Sequence, residues 1–144
     1  MNANFFIEDE RIAPNIITEL EENEIFVFGS NIIGRHNGGA ALQAKQHFGA
    51  IEGLSEGIQG QSYAIPTTGN TYDELKKAVV RFTDYVVTHP QNKFMLTAIG
   101  CGNAGYDVSQ IAPLFSQAYS FGNVYVPAAF LPFILSNTNS SRFN

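Results

Sequence analysis

Two glycine-rich segments hold the residue types with the greatest chemical reach in this chain. Gly29-Ser30-Asn31-Ile32-Ile33-Gly34-Arg35-His36 runs on to Gly38-Gly39-Ala40, and a second segment reads Gly100-Cys101-Gly102-Asn103-Ala104-Gly105-Tyr106. Glycine lets backbone approach a ligand closely, and peptide N–H groups clustered at a helix start form a concavity suited to an anion. A phosphate-bearing ligand with more than one polar centre is therefore the expected guest of two such loops. Tight turns that hold nothing are the plain alternative for either loop alone.

Neither loop completes a familiar phosphate motif. The first approaches the pattern of a P-loop, but Arg35 stands where lysine should reach the terminal phosphates and His36 where a hydroxyl should ligate magnesium. Triphosphate hydrolysis thus loses two working parts. The second loop fits Gly-x-Gly-x-x-Gly between a strand and a helix, yet a dinucleotide site also needs an acid about 20 positions later. No Asp or Glu follows Asp107, which disfavours a nicotinamide-dependent oxidoreductase.

The side chains around these loops each admit two readings. Asn31 offers both a donor and an acceptor after a buried strand, or it is an ordinary turn residue. Lys45 lies four residues after Ala41 at the edge of an apolar stripe, where its ammonium reaches either water or a ligand. Cys101 begins near a helix start, which favours thiolate, but no partner base is identifiable and a small loop residue is the better reading. His36, beside Arg35, reads as a solvated loop histidine rather than an acid or base. Tyr106 either covers a ribose or simply packs.

These loops need a scaffold, and the sequence supplies strand and helix signals in alternation. Ile25 to Phe28 is an unbroken apolar run, as in a strand buried on both faces. Ala40 to Phe48 carries Ala41, Ala44 and Phe48 at helical spacing, and Gly49 stops it. Ser62 to Ile65 is a second strand, turning at Pro66. Thr71 and Glu74 read as a capping box before Leu75, Ala78, Val79, Phe82 and Val86, and His89-Pro90 ends that helix. Phe94 to Ile99 is a third strand. Asp107 caps a helix through Val108, Ile111, Ala112, Phe115 and Ala118 that Pro113 should kink, and Val124 to Val126 is the last strand. Such alternation predicts an α/β domain with a mainly parallel sheet covered on both faces, ligands binding beyond the carboxyl ends of the strands.

Composition sets the outer bounds. The 144 residues, 44% of them hydrophobic, suit one globular domain, expected over residues 1–135 with a polar tail over 136–144. A net charge of −5, with eight scattered Lys and Arg, lacks the footprint of a duplex-binding protein. The single cysteine excludes an internal disulfide and suggests the reducing cytoplasm. No Cys/His spacing suits zinc, so no metal and no cofactor is expected. Residues 1–9 turn acidic before an apolar stretch develops, and no run approaches membrane-spanning length, so no membrane association is expected.

The loops in this setting resemble those of the macrodomain family, over about Glu24 to Val126. Asn31, Gly38-Gly39 and Ala40-Ala41-Leu42 are similar to that family's first loop and small-residue helix, and Ala98 to Tyr106 to its second loop. The resemblance implies a three-layer α/β/α fold with a mixed, mainly parallel sheet, and ADP-ribose or an ADP-ribosylated macromolecule as partner. It assigns ligand contacts to Gly29, Ser30, Asn31, Gly38, Gly39, Ala40 and Gly100 through Tyr106, with Asn31 on the distal ribose. Residues between Glu24 and Phe28, or near Phe130, are its candidates for the adenine pocket.

Within the family, Gly39 to Phe48 looks most like the branch that hydrolyses ADP-ribosyl linkages. There Lys45 would be the catalytic residue, attacking the anomeric carbon. That branch often carries an acid in the second loop, where this chain has Ala104. The chain also resembles compact macrodomain-like proteins of bacteria and their phages. Beside hydrolysis, the resemblance leaves open a non-catalytic nucleotide reader or interaction module, and a phosphatase acting on a phosphorylated ADP-ribose.

Overall fold

A computed structural model describes residues 10–135; the expected tail over 136–144 and the reading of residues 1–9 lie outside the described residues. Six strands form one sheet: β1 (Ile12–Ala13), β2 (Glu24–Asn31), β3 (Gly57–Gln59), β4 (Ser62–Thr68), β5 (Lys93–Leu96) and β6 (Val124–Pro127). Their order is β1-β6-β5-β2-β4-β3. Every neighbouring pair is parallel except β3 with β4. The expected mixed, mainly parallel sheet is thus present. Its two shortest strands, β1 and β3, were not foreseen, because two or three residues display no periodicity.

Residue alternation along β2 explains the layers. Ile25 and Val27 pack on one face with Ile65, Leu75, Phe82, Phe115 and Phe130. Phe26 and Phe28 point the other way, onto Ala41, Ala44 and Phe48. A strand apolar on both faces needs a cover on each, since side chains alternate with period two. One cover is α1 (Gly39–His47). The other comprises α2 (Tyr72–Thr88), α3 (Val108–Ile111) and α4 (Ser116–Ser120).

Local chemistry accounts for the element ends. The Thr71 hydroxyl accepts the Glu74 N–H at 3.1 Å and caps α2. The reciprocal half of the expected box is replaced: Asn70 Oδ1 accepts the Thr71 N–H, and Glu74 pairs with Lys77. Before α3, the Asp107 N–H donates to Gln110 Oε1 at 2.9 Å. The helix expected after Asp107 is broken by a 3-10 turn over Ala112–Phe115 with Pro113 in its first turn, where proline's missing N–H costs nothing. A second 3-10 turn spans Ala128–Phe130, and residues 131–135 are helical. No helix among the described residues is long and apolar enough to cross a membrane.

Two strand ends differ from expectation, and both matter for the site. β4 continues past Pro66 to Thr68. Its pairing with β3 covers only Ser62 to Ala64, so Pro66 has a single neighbour, β2, and its lack of a donor is tolerated. The register with β2 shifts between Ser30 and Asn31, opposite Pro66 and Thr68. β5 ends at Leu96 rather than Ile99. The Thr97 N–H still reaches Val27 O at 3.1 Å, but the Ile99 N–H folds back onto Thr97 O at 2.8 Å. That turn swings the second loop over the carboxyl end of the sheet.

Candidate functional site

The two glycine-rich loops meet. A cleft of about 340 Å³ opens at the carboxyl ends of β2, β4 and β5, the position ligands favour in such sheets. Gly29, Gly38, Gly39, Ala40 and Ala41 line one side, and Gly100, Gly102, Asn103 and Ala104 the other. Thr67, Thr68, Thr97, Ala98 and Ile99 form the floor between them. These floor residues were not foreseen. The rule that ligands sit beyond strand ends, applied to Pro66-Thr67-Thr68 as well as to the glycines, would have found the threonines.

The first loop is held in shape by its own polar groups. Asn31 Nδ2 donates to Arg35 O at 3.0 Å, and the Arg35 N–H donates to Asn31 Oδ1 at 2.9 Å. Both ends of the Asn31 amide are therefore engaged within the loop, and Asn31 is not among the residues lining the cleft. Ser30 is buried; its hydroxyl donates to Ser55 O and its carbonyl accepts from the Thr67 hydroxyl. Gly34 has φ of +77°, and a Cβ there would lie 2.5 Å from the Gly53 carbonyl carbon. Only glycine permits that crossing of two backbones.

His36 corrects an expectation. It is not a solvated loop histidine but is fully buried, its ring edge-on to Phe28 with centroids 5.2 Å apart. Its Nε2 lies 3.2 Å from Gln59 Oε1, while Nδ1 has no partner among the described residues. Gln59 is buried too and anchors the neighbouring loop: Oε1 accepts the Ile51 N–H at 2.7 Å, and Nε2 donates to Leu54 O and Gly57 O at 3.0 and 3.3 Å. Because Gln59 Oε1 can only accept, the His36 hydrogen sits on Nε2. Nothing in the sequence around Gln59 announced this role.

Past this anchor the chain arrives at α1 with its donors unspent. Gly38 occupies the N-cap without a side chain to cap it, and the first turn holds no acid. The N–H groups of the first turn lack intrahelical acceptors, and the helix dipole makes this end positive. In the second loop, Cys101, Gly105 and Tyr106 donate to Ala98, Gly102 and Gly100 carbonyls. The amides of Gly100, Gly102, Asn103 and Ala104, all at the cleft, donate to no protein acceptor found among the described residues. Gly100 itself has φ of +79°, with Ile111 Cδ1 only 3.0 Å from where a Cβ would stand.

The remaining candidates sit beside the cleft rather than in it. Burial, and then the nearby Asp107 carboxylate, pushes the Cys101 thiol up from its ordinary value, and its Sγ donates to Ile99 O. A thiol so placed stays protonated. Tyr106 packs against Tyr72 with centroids 5.6 Å apart, and Gly105 forms the turn before it. Lys45 lies in the last turn of α1, the end opposite the cleft, and its ammonium pairs with Glu52 at 3.2 Å. The His36 N–H, then Lys45, hold the Glu52 carboxyl below its usual range. Phe26, Phe28 and Phe130, near the expected adenine pocket, are core residues with no more than 1% exposure, so they present no ring to a ligand.

No family model matches the sequence, and no curated protein matches it. Two solved structures share the fold. A macrodomain protein from Streptomyces coelicolor superposes with a TM-score of 0.55 at 14% identity, covering 82% of this chain and 97% of that one. The fold is macrodomain-like. A protein of unknown function from Bacteroides thetaiotaomicron superposes with a TM-score of 0.58 at 13% identity, over 82% of this chain and 96% of its own. In this macrodomain-like fold, the two loops that the sequence singled out share one cleft.

Proposed function

We propose that this chain binds ADP-ribose, free or attached to a macromolecule, and acts as a reader rather than a hydrolase. The observation that carries the reading is the cleft's lining: two sets of unspent backbone amides face a space whose side chains are glycine, alanine, threonine, isoleucine and asparagine. Amides and a helix N-terminus hold a diphosphate without charged side chains. Hydrolysis asks for more. General acid–base catalysis requires a titratable group within hydrogen-bond reach of the reacting atoms, and among the described residues none lines the cleft. Lys45, the nucleophile that the family resemblance implied, is engaged with Glu52 at the far end of its helix.

Calorimetric titration with ADP-ribose, with NAD and ATP as comparators, tests the binding. ADP-ribose should bind most tightly, and tighter binding of NAD or ATP would overturn the ligand assignment. The same titration on Lys45→Ala should give an affinity within about twofold of the parent, since surface changes away from a site seldom exceed about 0.5 kcal/mol. Incubation with an ADP-ribosylated protein should release no ADP-ribose. Release that Lys45→Ala abolishes would instead establish the hydrolase.

A further inference from the structure

We infer that the cleft reads the diphosphate and its ribosyl groups and is indifferent to the nucleobase. This rests on the binding reading above and adds its specificity. Discriminating one base from another takes donors and acceptors matched to the base edge: a site built to hydrogen-bond a group rejects analogues lacking it by about 10⁴-fold, whereas an apolar wall discriminates on the order of tenfold to a hundredfold. Among the described lining residues, the side chains with hydrogen-bonding atoms are Thr67, Thr68, Thr97 and Asn103. Two of these are committed, with the Thr67 hydroxyl donating to Ser30 O at 3.0 Å and the Thr97 hydroxyl to Val27 O at 2.8 Å. No carboxylate stands in the lining to receive an exocyclic amine.

Stacking adds no preference. Tyr72 and Tyr106 are the half-buried aromatic pair flanking the second loop, packed on each other, with the Tyr72 hydroxyl donating to Gln110 O at 2.8 Å. A base laid against either ring gains attraction, but every base offers a π-face, so the gain is shared by all four. Backbone amides meanwhile meet a diphosphate identically whatever base it carries. The natural guest is then a nucleoside diphosphate ribose as a class, with the ribosyl diphosphate as its recognised part.

Calorimetric titration of the full chain with ADP-ribose and with its guanosine, uridine and cytidine counterparts decides the matter. Dissociation constants within about threefold of one another are expected. A preference of tenfold or more for the adenosine compound would overturn base indifference while leaving the binding reading intact. Silence from all four would remove the binding reading, and this inference with it.

Discussion

Replacing Gly38 by aspartate should abolish ligand binding while leaving the fold intact. Gly38 has φ of −159°, ordinary extended backbone open to any residue, and a Cβ built on it meets nothing within 4 Å. No strain or clash follows from the change. The position is also the N-cap of α1, where aspartate is among the favoured residues and glycine costs only a few tenths of a kcal/mol more, roughly. Stability should therefore stay within about 0.5 kcal/mol of the parent, or rise. Binding should behave oppositely, because the new carboxylate stands over the amides proposed to receive the diphosphate. Two like charges about 4 Å apart at an effective dielectric of about 20 repel by about 4 kcal/mol. Salt and relaxation reduce this, leaving an expected loss of about a hundredfold in affinity.

Gly38→Asn supplies the control, being equally acceptable as a cap but uncharged. It should lose less than about tenfold. Calorimetry for affinity and urea denaturation for stability check both variants. Equal losses in the two would mean that bulk, not charge, closes the cleft, and an unimpaired Gly38→Asp would mean that the anion sits elsewhere.

The glycine loops were legible because backbone chemistry writes itself into composition: a site made of amides shows as glycines between a strand and a helix. Gly29, Gly38, Gly39 and Ala40 on one side and Gly100, Gly102, Asn103 and Ala104 on the other do share the cleft. Side-chain roles were harder to read, since they depend on what lies across the loop. Asn31 seemed free until its amide was found closed onto Arg35, and Lys45 until its helix was seen to carry it away from the cleft and onto Glu52. Long apolar elements such as α2 were equally clear in the sequence. β1 and β3 were not, because each exists only by pairing with a distant partner: Ile12 with Val126, and Ile58 with Tyr63 across a turn.

Gln59 is the largest feature that sequence reasoning passed over, and Gln59→Leu should expose its weight. Leucine matches the volume but leaves the Ile51 N–H, the His36 Nε2–H and the Leu54 and Gly57 carbonyls without the partner each has now. Each such group costs about 1–3 kcal/mol when it stays buried. Rearrangement of the 51–57 loop will wet some of them, so the expected net loss is about 3 kcal/mol, on the order of 10 °C in Tm. Urea or thermal denaturation measures it, and a loss under about 1 kcal/mol would mean that the knot contributes little. Such a variant separates scaffold from site. The Gly34–Gly53 crossing and the Asn31–Arg35 turn still shape the first loop, so the folded fraction of Gln59→Leu should keep most of its affinity. Gly38→Asp should lose affinity without losing stability. If both properties instead fell together in both variants, the cleft's amides would be ordered by the ligand rather than held ready by the fold.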